Sequence, residues 1–103
     1  MVQNHEIIIY PKAQQDLKNI FEYISIVLSN PSAANKLIKD ISDSIKNLSS
    51  FPLSCPQVSN ENLKDQTLRK LIVKKYIIFY RLKGNEMQIV RVLYGMSDYE
   101  KYL

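Results

Sequence analysis

The chain has 103 residues, of which 46% are hydrophobic and 23% charged, and its formal net charge is +4. These values predict one globular domain spanning residues 1–103 and argue against disorder. The single cysteine, Cys55, excludes an internal disulfide and a thiolate zinc site; without a signal peptide or a membrane-length apolar run, we expect a cytoplasmic protein.

The first predicted elements are a strand and an amphipathic helix. Glu6 to Tyr10 is β-branched and aromatic, and Pro11 ends it, which is typical of a short strand. From Lys12 onward, apolar residues recur at helical spacing and form one stripe. The members of this stripe are Ala13, Leu17, Ile20, Phe21, Ile24, Val27 and Leu28.

A second helix follows after a short joint. Asn30 can cap its start, and Pro31 suits the first helical position. Its apolar stripe consists of Ala34, Leu37, Ile38, Ile41, Ile45 and Leu48. Because the joint is so short, the two helices are expected to pack as an antiparallel hairpin.

The rest of the chain predicts a surface loop and three strands. Ser49–Gln66 lacks periodicity, whereas Thr67–Val73, Tyr76–Lys83 and Glu86–Tyr94 have strand character, with turns at residues 74–75 and 84–85. The segment 76–80 is apolar at every position, which indicates a central strand covered on both faces. The predicted fold class is α+β, in the order β-α-α-β-β-β, with an N-terminal helical hairpin packed on a small antiparallel sheet.

Positive charge is concentrated in the predicted sheet. Residues 1–63 contain five basic and six acidic residues, whereas residues 64–103 contain nine basic and four acidic residues, a net charge of +5. The basic residues of the three strands and their turns are Arg69, Lys70, Lys74, Lys75, Arg81, Lys83 and Arg91. This asymmetry indicates a polyanionic or acidic partner, although a solvated basic surface would have the same pattern.

Several kinds of catalytic site are excluded. His5 is the only histidine and lies near an N-terminus that we expect to fray, which argues against Ser/His and Cys/His nucleophiles. Carboxylates are scattered, so no metal site is predicted. Gly84 and Gly95 are the only glycines, too few for a phosphate-binding loop. We therefore expect no cofactor and no metal.

The chemistry that remains is proton transfer and charge stabilisation, which a metal-independent ribonuclease can use. If the chain is such a nuclease, the catalytic candidates are Arg81, Arg91, Tyr94, Asp98 and Tyr99. The same five residues, with Arg69 and Lys70, are the candidates for target binding. Arg69 and Lys70 are neighbours on a strand and point to opposite faces, so at most one of them can join a given site.

Each candidate also has a structural interpretation. Arg81 stands at the end of a strand, where a solvated charge is expected. Arg91 is flanked on its predicted strand face by Ile89 and Leu93, so it must either pair with an acid or face an anion. Tyrosines near the C-terminus could stack on bases or on a partner, or could pack the tail back onto the sheet.

Taken in order, these residues resemble the RelE/ParE superfamily of type II toxin–antitoxin toxins over nearly the whole chain. The resemblance rests on Ala13-x-x-Asp16-Leu17-x-x-Ile20, Tyr23-Ile24, Asn30-Pro31-x-Ala33-Ala34, Leu48-x-x-Phe51-Pro52, Leu68-Arg69-Lys70-Leu71, Tyr76-Ile77-Ile78-Phe79-Tyr80-Arg81 and Arg91-Val92-Leu93-Tyr94-Gly95-x-x-Asp98-Tyr99. It implies a helical hairpin on an antiparallel sheet. It also implies a cognate antitoxin as partner, in a complex that can be of higher order, and no membrane partner.

The superfamily has two mechanisms, and the departures of this chain favour one of them. RelE-like members cut messenger RNA in the ribosomal decoding site, whereas ParE-like members act on DNA gyrase. RelE-like nucleases generally carry a basic residue where this chain has Ile77, and Arg or His where it has Met96 and Ser97. The resemblance therefore favours a ParE-like gyrase inhibitor that stops cell growth and has no nuclease activity of its own.

Two alternatives remain open at the level of sequence. The first is a ribosome-dependent endoribonuclease in which Arg81 or Arg91 stabilises phosphate, and Tyr94, Asp98 or Tyr99 transfers protons. The second is a degenerate toxin that is retained as an antitoxin-binding module.

Overall fold

The computed structural model describes residues 5–103 and confirms the predicted fold class. Its elements, in chain order, are β1 (Glu6–Ile9), α1 (Pro11–Glu22), a π-helical turn (Tyr23–Val27), α2 (Pro31–Leu48), β2 (Arg69–Val73), β3 (Tyr76–Lys83), β4 (Glu86–Tyr94) and a 3₁₀ helix (Tyr99–Tyr102). Each strand and α-helix begins within two residues of its predicted start. Among the described residues, no helix has the length and apolar character needed to cross a membrane.

The four strands form one sheet in the order β1-β4-β3-β2. The pairs β2–β3 and β3–β4 are antiparallel, as predicted, whereas β1 runs parallel to β4 and pairs Glu6–Ile9 with Glu86–Ile89. The parallel pair is possible because the helical hairpin connects β1 to the rest of the sheet, and parallel strands require such a long connection. The sheet is therefore antiparallel except at its β1 edge.

The helical hairpin packs on one face of the sheet. Asn30 caps α2 as predicted, since its side chain accepts the N–H of Ala33 at 3.2 Å. The apolar core beneath the hairpin contains Ala13, Leu37, Ile41, Ile45, Leu48, Val73, Ile78, Tyr80, Met87, Ile89 and Val92. At about 25 cal/mol per Å² of apolar area removed from water, this burial is the main favourable contribution to folding.

The first helix differs from its prediction at its C-terminal end. Its stripe was expected to continue to Leu28 on the core side, but α1 ends at Glu22 and the turn that follows is π-helical. The wider turn rotates the later residues away from the core. As a result Ile26, Val27 and Leu28 are exposed at the tip of the hairpin.

The opposite face of the sheet, which we call the tail face, is covered by the loop before β2 and by the C-terminal tail, residues 95–103. Its buried cluster consists of Val58, Leu63, Leu68, Ile77 and Phe79, against which Val90, Leu93, Tyr99 and Leu103 pack. β3 is therefore central and covered on both faces, as predicted. The segment 49–66, predicted to be a surface loop, supplies part of this second core.

A register shift interrupts the pairing of β3 with β4. Phe79 pairs with Arg91 and Tyr80 with Ile89, so Val90 is an extra residue in β4. Such a bulge changes the face that the following side chains occupy. The prediction that Ile89 and Leu93 flank Arg91 on one face is therefore wrong: Ile89 lies under the hairpin, whereas Leu93 packs on the tail face.

Candidate functional site

Arg91 is held by Asp16 of α1. Its Nε and Nη2 donate to the two carboxylate oxygens of Asp16 at 2.7 and 2.8 Å, and the exposed fractions of the two side chains are 15% and 10%. The hydrogen bond to this carboxylate raises the pKa of Arg91 above its ordinary value. Of the two interpretations from sequence, pairing with an acid is therefore the observed one.

The position of Asp16 follows from the strand arrangement. β1 leaves the sheet at Ile9, which pairs with Ile89, so the following part of β4 has no neighbouring strand on that side among residues 5–103. Asp16 lies beside this open edge and accepts the N–H of Val92 at 3.0 Å. The carboxylate thus satisfies a backbone donor and a guanidinium at once.

Arg81 lies in a polar network on the tail face of the sheet. Its Nε donates to Gln88 at 2.7 Å, its Nη1 to Asp65 at 2.8 Å and its Nη2 to the hydroxyl of Tyr10 at 2.9 Å. Tyr10 in turn donates to Gln88 at 2.8 Å. The hydrogen bond to Asp65 raises the pKa of Arg81. The structural interpretation from sequence expected Arg81 to be a solvated charge. Instead, its guanidinium connects the loop to the sheet.

Asp65 is the loop residue in this network. Burial alone would raise its pKa, but hydrogen bonds from Thr67 and Arg81 lower the pKa below its ordinary value. The backbone N–H of Thr67 donates to Asp65 at 2.9 Å, and its hydroxyl donates to the same oxygen. The folded protein therefore stabilises the ionised carboxylate.

Arg69 and Lys70 lie on opposite sides of β2, as predicted. Arg69 pairs in register with Tyr80 under the hairpin, and its Nη1 donates to the carbonyl of Cys55 at 2.6 Å. Lys70 pairs with Phe79 of the tail-face cluster and is half-buried. Cys55 was predicted to lie in an exposed loop, but it is half-buried against the core.

The C-terminal tail packs back onto the sheet. The ring of Tyr99 lies 5.2 Å from that of Phe79, and the guanidinium of Arg91 lies 5.5 Å from the ring of Tyr102. Arg91 also donates to the carbonyl of Tyr102 at 3.3 Å. Asp98 is exposed. The structure thus brings Arg91, Tyr99 and Tyr102 together, while Arg81 belongs to a separate network.

Lysines supply the remaining charge of the sheet. Lys74 pairs with Asp40 of α2 at 2.9 Å, and within residues 5–103 Lys75 and Lys83 have no ion pair. Lys75 and Lys83 are at opposite ends of β3, which puts them roughly 27 Å apart at the rise of an extended strand. These two lysines therefore do not converge on one site.

A cleft lies between α1 and the C-terminal end of β4, where the sequence led us to expect an apolar groove between the helical hairpin and the sheet edge. We call it the tyrosine cleft. It has a volume of about 550 Å³ and is lined by Asp16, Asn19, Ile20, Tyr23, Leu28, Lys75, Tyr76, Val92, Leu93 and Tyr94. Three of its lining residues are tyrosines, Tyr23, Tyr76 and Tyr94, and their recurrence is the feature of the sequence that points to an aromatic surface here.

The tyrosines of this cleft are exposed enough to contact a partner. The side chains of Tyr23 and Tyr94 are 52% and 43% exposed, and the ring of Tyr94 lies 5.7 Å from that of Tyr76. Burial, with Tyr94 and Tyr23 nearby, raises the pKa of Tyr76. A second hollow of about 370 Å³ continues from the cleft past Lys75 toward α2. Such an apolar, aromatic groove is typical of a surface that binds another protein.

Two further expectations from sequence concern metal binding and the N-terminus. No group of three His, Cys, Asp or Glu residues in the described part of the chain could hold a metal ion. The expectation of a frayed N-terminus near His5 concerns residues 1–4, which lie outside the described residues. His5, the first described residue, is joined to the chain by its N–H, which donates to the carbonyl of Ser49 at 3.0 Å.

Comparisons with known proteins agree with the fold and its topology. The model of a protein family described as the ParE toxin of type II toxin–antitoxin system, parDE, matches residues 7–99. A chain of the chromosomal ParDE TA system from P. aeruginosa is similar, with a TM-score of 0.73 and 26% identity over 87% of this chain and 95% of that chain.

Two further solved structures share the fold at lower identity. One is in the RelBE2 toxin–antitoxin complex from Mycobacterium tuberculosis, with a TM-score of 0.62 and 16% identity over 89% of this chain and 99% of that one. The other is in the RelB–RelE complex from Methanococcus jannaschii, with a TM-score of 0.56 and 21% identity over 93% and 99%. A search of curated protein sequences finds no significant match.

Proposed function

The chain belongs to the ParE toxin family of type II toxin–antitoxin systems, and from this we propose that it stops cell growth by binding DNA gyrase. In this proposal the toxin acts by protein–protein contact in the cytoplasm, without a cofactor and without cutting RNA. A cognate antitoxin neutralises it.

The observation that carries the proposal is the engagement of all three arginines of the sheet. Arg69, Arg81 and Arg91 each donate hydrogen bonds to groups of the same chain. A phosphoryl site needs donors aimed at the developing charge, and a donor already bound to a carboxylate is poorly suited to that role. Lys75 and Lys83 lie at opposite ends of β3, so these two lysines do not form one phosphoryl site together.

A second observation supports the absence of a nuclease site. RelE-like nucleases resemble this chain but generally carry a basic residue at the position of Ile77. Here the side chain of Ile77 is 8% exposed and packs with Phe79 and Leu63 in the tail-face cluster. A cation could be accommodated there only by removing it from water without a partner, which is unfavourable.

The tyrosine cleft is the surface that we propose for the antitoxin. It offers Tyr23 and Tyr94 as exposed aromatic contacts, and aromatic residues dominate the binding energy of many interfaces. Lys75 stands at its border, which suits an acidic side chain on the partner. An amphipathic segment of the antitoxin would meet both features.

The proposed target contacts are the candidates from sequence, now with different roles. Tyr94 and Asp98 are exposed and available for direct contact. Arg69, Arg81 and Arg91 are bound to groups of the same chain, and we propose that they support the sheet that carries the exposed contacts. Tyr99 and Lys70 are half-buried, and both lie beside Phe79 on the tail face.

Expression without antitoxin tests the choice of target. If the toxin acts on gyrase, DNA synthesis stops before protein synthesis, and toeprinting of translating ribosomes reveals no new cuts. If protein synthesis stops first, with codon-dependent cuts that vanish in Arg91→Ala, the chain is a RelE-like nuclease. Normal growth with full expression of folded protein identifies a degenerate toxin.

A further inference from the structure

Asp16 belongs to two features of the molecule at once. Asp16 lines the tyrosine cleft, and its carboxylate holds Arg91, which contacts the C-terminal tail. We propose that Asp16 couples the tyrosine cleft to the C-terminal tail, so that a segment bound in the cleft fixes the tail in its docked position.

The first step of the argument is the joint between α1 and β4. Asp16 accepts Nε and Nη2 of Arg91 and the backbone N–H of Val92, at distances between 2.7 and 3.0 Å. Three donors on two adjacent residues of β4 thus converge on one side chain of α1. Any change in the distance between helix and strand breaks several charge-assisted hydrogen bonds together.

The second step is the joint between β4 and the tail. The guanidinium of Arg91 lies 5.5 Å from the ring of Tyr102, and its Nη1 donates to the carbonyl of that residue at 3.3 Å. A cation above an aromatic ring is attracted by the ring's negative face. Lys101 Nζ also lies 5.3 Å from the Tyr102 ring, but it belongs to the tail itself. The contact that joins Tyr102 to β4 is the one made by Arg91, and Asp16 fixes the orientation of that guanidinium.

The third step is the position of the cleft. Its walls are α1, through Asn19 and Ile20, and β4, through Val92 and Tyr94. A segment that packs on both walls stabilises the arrangement in which they are joined, and this is the arrangement that holds the tail. Coupling of this kind is reciprocal: a docked tail must favour binding in the cleft by the same factor.

The use of this coupling rests on the proposed function. Asp98 and Tyr99 of the tail are among the proposed target contacts, and an antitoxin in the cleft would restrict them without touching them. The coupling itself is a property of the chain alone, so it is tested first without any partner.

The first experiment follows fluorotyrosine NMR signals of the isolated chain. The substitution Tyr102→Ala removes the ring under Arg91 and is expected to shift the signal of Tyr23, which lines the cleft. In the Asp16→Asn background the same substitution should leave the Tyr23 signal in place. A shift of equal size in both backgrounds, or no shift in either, would overturn the coupling.

The second experiment measures hydrogen exchange of the tail. Asp16→Asn is expected to speed exchange in residues 99–103 by at least about tenfold relative to two controls. One control is Asp43→Asn, an exposed carboxylate of α2, and the other is Tyr80→Phe, which lowers stability through a hydrogen bond to Pro52 away from the tail. Circular dichroism checks that the variant is folded. If it is not folded, the Tyr102→Ala arm of the first experiment still decides the coupling, because an unmoved Tyr23 signal there overturns it without any change in α1. Unchanged exchange in the folded variants contradicts the proposal.

The final arm adds the cognate antitoxin. Slower tail exchange in the wild-type complex, but not in a complex of Asp16→Asn, is the expected result. If the antitoxin binds without slowing tail exchange in the wild-type chain, the coupling is wrong. If it protects a surface other than the cleft, the proposed antitoxin site is wrong, and the two experiments on the isolated chain still decide the coupling.

Discussion

The carboxylate of Asp16 and the guanidinium of Arg91 form a two-point ion pair across 75 residues of sequence. The pair joins the N-terminal hairpin to the last strand and the tail at the open edge of the sheet. Arg91 is one of the two arginines that the sequence offered for stabilising phosphate in a nuclease. In the isolated chain its guanidinium is already paired with Asp16.

The Asp16–Arg91 pair predicts a large effect on stability. Asp16→Asn leaves a largely buried guanidinium without its carboxylate, so the free energy of unfolding should fall by about 2–3 kcal/mol. Urea denaturation measures this change. The matched variant Asp43→Asn breaks an exposed pair with Lys39 and should cost less than about 0.5 kcal/mol. Equal losses in the two variants would contradict a structural role for Asp16.

Asp65 predicts how stability depends on pH. Because its pKa is lower in the folded state than in the unfolded state, the ionised carboxylate stabilises the fold above about pH 4. That contribution is lost as the pH falls through the folded-state pKa. Asp65→Asn should therefore reduce the decline in stability below about pH 4, measured as urea midpoints from acid to neutral pH. Glu61→Gln, an exposed change on the same loop, serves as control and should leave the decline as in the wild type.

Tyr80 predicts the effect of losing one buried hydrogen bond. Its side chain is fully buried, and its hydroxyl donates to the carbonyl of Pro52 at 2.7 Å. Tyr80→Phe should lower the free energy of unfolding by about 1–1.5 kcal/mol, since the carbonyl loses its partner. Thermal and urea unfolding both measure it. Tyr23→Phe removes a hydroxyl from an exposed ring and should be nearly neutral, so a comparable loss there would argue against this explanation.

The tyrosine cleft predicts which side chains bind the antitoxin. Tyr94→Ala should weaken the complex by at least about tenfold, because truncating a central aromatic contact typically costs more than 1.4 kcal/mol. Calorimetry with the cognate antitoxin measures the dissociation constant. Phe51→Ala, at an exposed aromatic residue outside the cleft, is the control. Loss of affinity only in the control would place the antitoxin elsewhere.

Periodicity and turn chemistry were enough to predict the secondary structure. Asn30 and Pro31 marked the start of α2, and Gly84, at a φ of 58°, occupies a predicted turn that requires such a residue. The uninterrupted apolar run of β3 predicted a strand buried on both faces. These features depend on local sequence, which is why they could be read from it.

The site was less predictable because it depends on irregularities and on distant contacts. The bulge at Val90 has no sequence signature, and it moves Arg91 off the face that strict alternation predicts. Likewise, the π-helical turn after Glu22 exposes residues whose spacing suits a core. In the sequence, Asp16 stood out only as part of a family motif. Its pairing with Arg91 and Val92 could not be predicted, because it depends on where β1 stops pairing with β4.

The supercoiling reaction of purified DNA gyrase tests the central proposal most directly. The wild-type chain should inhibit supercoiling or trap cleaved DNA at concentrations near that of the enzyme, and added antitoxin should restore activity. A preparation that is folded by circular dichroism, yet leaves gyrase fully active at large excess, would contradict the proposal.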